Sequence, residues 1–168
     1  MLYIDSINYI GNKKTKNYII RRELDFKVND STDMTVLTQG FSRNRSRILN
    51  TGLFKDVSIN IKRWNTETNH IMIDIVCDEG WYIYPVPIFE LADRNFNVWW
   101  DEFNGSLKRT NYGIKFIHTN LSGQADALKI TLQGGYSQKA DLEYAWPYWG
   151  KDRSWRFTSN VFYSRNKE

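Results

Sequence analysis

Residues Asn44–Ile61 read NRSRILNTGLFKDVSINI, and within these residues the chain changes its period. Reading back from Ile48, the apolar positions Phe41, Leu37 and Met34 recur at three- to seven-residue spacings, one stripe of a buried helix, with Arg43, Arg45 and Arg47 turned toward water. Thr51-Gly52 is a helix stop. Beyond it Leu53 and Phe54 enter the core, and Val57, Ile59 and Ile61 alternate with Ser58, Asn60 and Lys62, the period of a strand with one wet face. A helix running through a glycine stop into an alternating strand predicts a mixed α+β unit.

The flanking residues extend this reading in both directions. Downstream, the polar turn WNTETN leads into Ile71, Ile73 and Ile75 alternating with Met72, Asp74 and Val76, which completes a hairpin. Upstream, Ser31, Thr32 and Asp33 offer an N-cap for the helix. Before them Leu2–Ile10 suits a strand ending at Gly11-Asn12. Thr15 is positioned to cap a helix over Lys16–Leu24, in which Ile20 and Leu24 fall one turn apart. The order is strand, helix, helix, strand, strand over residues 1–80, a size that one core can support.

Composition sets outer limits. The chain has 168 residues, 41% hydrophobic and 15% aromatic, so its apolar content is carried by rings to a degree more typical of strands than of helical bundles. The net charge of +4 is mild, with a local excess at Lys13, Lys14, Lys16, Arg21 and Arg22. Nucleic-acid binding through that patch calls for interleaved aromatics, and Tyr18 alone qualifies, so no nucleic acid is expected. Cys77 is the one cysteine and excludes an internal disulfide. No run matches a transmembrane helix or a signal peptide; either the protein is cytosolic, or Met1 falls inside a longer precursor.

From Trp81 to Glu168 helical periodicity gives way to strand after strand: Tyr82–Leu91, Asn95–Trp100, Tyr112–Asn120, Asp126–Tyr136, Ala140–Trp146 and Trp155–Tyr163. Leu128, Ile130 and Leu132 oppose Lys129, Thr131 and Gln133, and Leu142, Tyr144 and Trp146 oppose Asp141 and Glu143. A soluble sandwich gives this pattern by burying the apolar face. A transmembrane barrel gives it with that face on lipid and aromatic girdles at the strand ends. The stretch LEYAWPYWGKDRSW, Leu142–Trp155, crowds Trp146, Tyr148, Trp149 and Trp155 around one turn, as expected of rings marking a membrane interface.

The segments GNKKTKNYIIRRELDF, NRSRILNTGLFKDVSINI and HIMIDIVCDE resemble a POTRA domain over the first eighty or so residues. NYGIKFIHTNLSGQADALKITLQGGYSQKADLEYAWPYW is similar to the opening strands of the surface-antigen barrel of the BamA and TamA superfamily, with Pro147-Tyr148 at a strand end. The resemblance implies an α+β fold: a β-α-α-β-β POTRA domain at 1–80, then at 81–168 an antiparallel meander forming the start of an outer-membrane β-barrel. It also implies the family's work of assembly or translocation. A periplasmic POTRA part would bind unfolded outer-membrane protein clients, here on the edge strand Val57, Ile59 and Ile61, beside a bilayer and accessory assembly proteins.

Pro85, Pro87, Phe89 and Leu91 would lie on the strand at the barrel seam, where two missing N–H donors weaken pairing. The strands present are fewer than the family's full barrel of sixteen, so the chain is expected to be part of a longer protein. The family's Arg-Gly-Phe lid motif does not occur in it.

Catalytic readings find little material. His70 and His118 have no ligand partners at metal spacing, and neither a Walker loop, a dinucleotide fingerprint nor a nucleophile elbow is present, so no enzyme, metal or cofactor is expected. Asp78-Glu79 and Asp101-Glu102 are adjacent acids, which a strand sends to opposite faces. Cys77 reads as a small buried hydrophobe. The alternative function is a soluble carbohydrate-binding β domain using Trp99, Trp100, Trp146, Trp149 and Trp155 as stacking platforms.

Overall fold

The computed structural model describes residues 1–92, 95–102, 104–149 and 154–166, with Tyr148, Trp149 and Asn166 described by their backbone alone. It is an α+β chain that divides into two compact units. The first comprises Met1–Trp81 together with Ser122–Ala125; the second comprises Tyr82–Leu121 and Asp126–Glu168.

The first unit contains β1 (Leu2–Ile10), α1 (Asn17–Arg21), β2 (Ser31–Thr32), α2 (Met34–Asn50), β3 (Phe54–Asn65) and β4 (His70–Glu79). They form a four-stranded sheet in the order β2-β1-β4-β3, with β1 and β4 parallel and β3 and β4 antiparallel. The core collects the same-face positions of the strands: Ile4, Val57, Ile59, Ile71, Ile73, Ile75 and Cys77 are buried, as are Ile19, Ile20, Leu37 and Ile48 of the helices. On the other sheet face Asn8 Nδ2 donates to Asp74 Oδ1 at 2.8 Å, and Lys62 Nζ pairs with Asp74 Oδ2 at 3.2 Å. Gly11 turns the chain out of β1 at φ 89°, where an added Cβ would stand 2.0 Å from the Cys77 carbonyl oxygen. Only glycine fits that approach.

Three expectations for this unit are corrected. Thr15 does not cap α1: its backbone N–H donates to Glu79 Oε1 at 2.6 Å, which draws the residue into a clip between the loop and the end of β4. The helix is also shorter than Lys16–Leu24. It ends at Arg21, and Glu23 and Leu24 turn back in tighter i→i−3 bonds onto Ile20 and Arg21. Met34 is exposed, and Asn44 joins the buried side of α2 with Leu37, Gly40 and Ile48.

The second unit contains β5 (Ile83–Leu91), β6 (Thr110–His118), β7 (Ala127–Gly135), β8 (Ser137–Trp149) and β9 (Trp155–Asn166), an antiparallel meander in chain order. It is an open sheet among the described residues, with β5 and β9 as its outer strands. The expected strand over Asn95–Trp100 is instead a helical turn, of π type over Val98–Glu102. Asn95 starts it, accepting the Val98 N–H on its side-chain oxygen at 2.8 Å. Ring packing holds it: Phe96 lies 5.5 Å from Trp99 and 5.8 Å from Trp100, a cluster that a strand would split between two faces.

Candidate functional site

The pairing registers assemble the alternation of single strands into two opposed faces. Pro87, Ile114, Leu132, Ala140 and Tyr163 fall in one row across β5 to β9, and Pro85, Phe116, Ile130, Leu142 and Val161 in the next row on the same face. Between them, on the opposite face, run Val86, Lys115, Thr131, Asp141 and Phe162. Tyr84, Ile117, Lys129, Glu143 and Asn160 form the neighbouring row there. Lys129 Nζ meets Glu143 Oε2 at 2.9 Å and Asn160 Nδ2 donates to Asp141 Oδ1 at 2.9 Å, so the polar groups of this face satisfy one another. The apolar face stays open: Leu132 is 53% exposed and Val161 66%. No described helix is long and apolar enough to cross a membrane, which says nothing of strands.

β5 has an open side whose chemistry can be read from its ladder. Thr119 N–H donates to Tyr82 O and Ala92 N–H to Arg109 O, each at 2.9 Å, which fixes the even positions of β5 as those bonded to β6. In an antiparallel pair the bonded positions recur every second residue. Pro85, Pro87, Phe89 and Leu91 therefore direct their backbone groups away from β6, and the two prolines remove two donors from that open side.

The same count applies to β3, the outer strand of the first sheet. Gly80 N–H donates to Leu53 O at 2.8 Å, and the even positions of β4 face β3 from there on. Their partners Asp56, Ser58 and Asn60 bond inward, so Val57, Ile59 and Ile61 present backbone N–H and C=O outward while Val57 and Ile59 bury their side chains. The site is a main-chain edge backed by a rigid core.

Sequence reasoning assigned Arg43, Arg45 and Arg47 to water, whereas all three are engaged. Arg43 and Arg47, four residues apart on one side of α2, both grip the Asp25 carboxylate. Burial alone would raise this acid, but hydrogen bonds from both arginines outweigh it and hold the carboxyl below its ordinary range. Arg45 lies on the other side, with Nε donating to the Val57 carbonyl at 2.7 Å and Nη2 to Asp56 Oδ1 at 2.6 Å. No feature of the sequence marks the middle arginine as different from its neighbours.

A second cluster missed at the sequence level gathers at the β6–β7 end of the second unit. His118, Asn120 and Asp126 are buried; Asn120 N–H donates to His118 Nδ1 at 3.2 Å, and the Tyr144 hydroxyl to Asp126 Oδ2 at 3.0 Å. This is a satisfied polar plug joining one strand end to the next turn. No group of three or more His, Cys, Asp or Glu among the described residues is placed to hold a metal. Burial, assisted by Glu79, pushes the Cys77 thiol up to about 11.

The tryptophans do not form one platform. Trp99 and Trp100 follow the end of β5, whereas Trp146 and Trp155 lie at the opposite strand ends, about 30 Å away along a nine-residue strand. Trp146 is half-buried with its indole N–H unpartnered, and Trp155 is 69% exposed. The side chains of Tyr148 and Trp149 lie outside the described residues.

Comparison with known proteins agrees with this architecture. Residues 2–80 match the POTRA family model, described as surface antigen variable number repeat. A BamA from Haemophilus ducreyi lacking POTRA domains 1–3 is similar in fold over 98% of this chain, with a TM-score of 0.70 at 18% identity. CdiB from Acinetobacter baumannii aligns over 98% of this chain with a TM-score of 0.42 at 12% identity, too distant to carry an argument. No curated protein sequence matches. Residues 2–80 are thus similar to a POTRA domain, and an open antiparallel sheet follows them. The chain is α+β and similar in fold to that BamA, and it spans 28% of the length of that BamA chain and 33% of that CdiB chain.

Proposed function

We propose that the chain belongs to an outer-membrane factor that assembles or translocates proteins. In this reading its POTRA domain holds extended client segments in the periplasm, and its meander forms the first strands of the membrane barrel. The observation that carries the reading is the register of the second sheet, which gathers the apolar rows onto one face and the ionic rows onto the other. Such a face suits acyl chains, with Trp146, Tyr148, Trp149 and Trp155 at the interface on one side. The nine-residue strands β5, β6 and β7 match the ~9–11 residues a tilted crossing strand needs. The prolines on the open side of β5 support a seam that pairs weakly. Clients would add to β3 through Val57, Ile59 and Ile61, with backbone bonds supplying affinity and little sequence selectivity. The work is binding, without a reaction at an active-site residue. The partners are unfolded outer-membrane clients, the bilayer and accessory assembly proteins.

The test is photo-crosslinking in the full chain, embedded in vesicles, against an unfolded outer-membrane β-barrel protein. A photoreactive residue at Asn60 or Lys62 is expected to capture the client, and one at the exposed Val28 is not. Equal capture at all three positions would remove the β3 edge from the account.

A further inference from the structure

The outward edge of β3 is not uniformly available. At Val57 the backbone carbonyl is occupied by a side chain, accepting from Arg45 Nε at 2.7 Å. Arg45 also pairs with Asp56 at 2.6 Å, which holds its guanidinium against that one residue. The strand is irregular just before it, with a register shift between Phe54 and Asp56, and Lys55 adds a charge there. Bulges and charges of this kind are how natural sheets keep an edge from recruiting a stray strand. Ile59 and Ile61, further along, direct their backbone groups to the same side, and no strand among the described residues pairs with them there.

We infer that the Arg45–Asp56 pair is a latch on the client edge: it confines strand addition to the Ile59–Ile61 part of β3 and sets where an incoming strand begins. The inference rests on the strand-addition reading and sharpens it to a register. An arriving strand that reaches Val57 must displace the guanidinium already bonded to its carbonyl, so it gains little there, whereas at Ile59 and Ile61 it satisfies groups turned to water. Arg45 can do this because it stands two residues from both Arg43 and Arg47, on the side of α2 away from Asp25. The occupant is an extended segment recognised by its main chain, with side chains free to vary.

The full chain in detergent micelles tests this, using a fluorescent soluble peptide of alternating Thr and Val as the probe. Amide exchange at Val57, Ile59 and Ile61 and the probe's dissociation constant are measured for the parent, Arg45→Gln and Asp56→Asn. Both side chains are about half exposed or more, and the unfolding midpoint of each variant checks that the fold persists. In the parent the probe is expected to protect Ile59 and Ile61 and to leave the Val57 amide exchanging. Probe-induced protection at Ile59 and Ile61 then extends to Val57 in the variants, with binding about tenfold tighter. Unchanged affinity and unchanged Val57 exchange, with Ile59 and Ile61 still protected by the probe, would overturn the latch and leave strand addition standing. A probe that protects none of the three amides in any protein would overturn both.

Discussion

The two sheets carry the same alternation of apolar and polar residues and use it in opposite ways. In the first unit the alternate isoleucines Ile71, Ile73 and Ile75 are fully buried beneath the helices. In the second unit the residues buried are polar ones such as Thr131, Asn120 and Asp126, while Phe89, Val161 and Tyr163 lie open. A sheet closed by helices makes its own apolar solvent; a sheet without them must borrow one. The difference follows from what accompanies the strands: α2 supplies Leu37 and Ile48 to the first sheet, and in the second unit the helical turns among the described residues are short ones between strands.

Substitutions that exchange the two solvents test this contrast most severely. Ile73→Asp places a charge in the centre of the first core and is expected to unfold that unit; the milder Ile73→Ala should cost about 2–5 kcal/mol in a denaturant titration. Leu132→Arg on the open row of the second sheet is expected to cost about 2–4 kcal/mol when the chain is folded into bilayers. An equal loss in plain buffer would show that this face is not on lipid. Asp25→Asn, which loosens the grip of Arg43 and Arg47, should cost the first unit about 1 kcal/mol and spare the second.

Acid acts on the same carboxylates. Asp25, Asp56 and Asp74 all lie below the ordinary acid range, each favoured by hydrogen bonds from basic or amide side chains. A lowered pKa in the folded state means that the unfolded chain binds more protons, so their stabilisation is complete above about pH 4 and is lost as pH falls through the folded values. An unfolding midpoint for the first unit that is flat between about pH 4 and pH 2 would contradict this. The smallest effect concerns Cys77. With its pKa near 11, it carries on the order of a hundredfold less thiolate at pH 8 than an exposed cysteine, and alkylation should wait for unfolding.

Much of the fold was legible in the chain. The change of period at Thr51-Gly52, the hairpin from Val57 to Val76 and the strand alternation after Trp81 all describe backbone that local pattern dictates. The β-α-α-β-β order and the POTRA resemblance stand on these. The misreadings have two physical causes, a distant partner in one place and local ring packing in another. Thr15 is tied by its backbone N–H to Glu79, sixty-four residues away, and Lys16 takes the N-cap position, while Phe96, Trp99 and Trp100 gathered into a cluster where a strand would have separated them. The proposed edges were legible only as residues. That Val57, Ile59 and Ile61 turn their backbone outward depends on hydrogen-bond parity set by Gly80 and Leu53, and that Val57 is occupied depends on one arginine among three. Neither fact has a signature in local sequence.

The central claim is that the apolar rows of the second sheet face lipid. Spin labels placed one at a time at Phe157–Tyr163 in a Cys77→Ala background, with the chain folded into vesicles, test it residue by residue. The account predicts that accessibility to membrane-dissolved oxygen alternates, high at Phe157, Val161 and Tyr163 and low at Thr158, Asn160 and Phe162. A uniform profile, or the same alternation and the same β signal in detergent-free buffer, would contradict it.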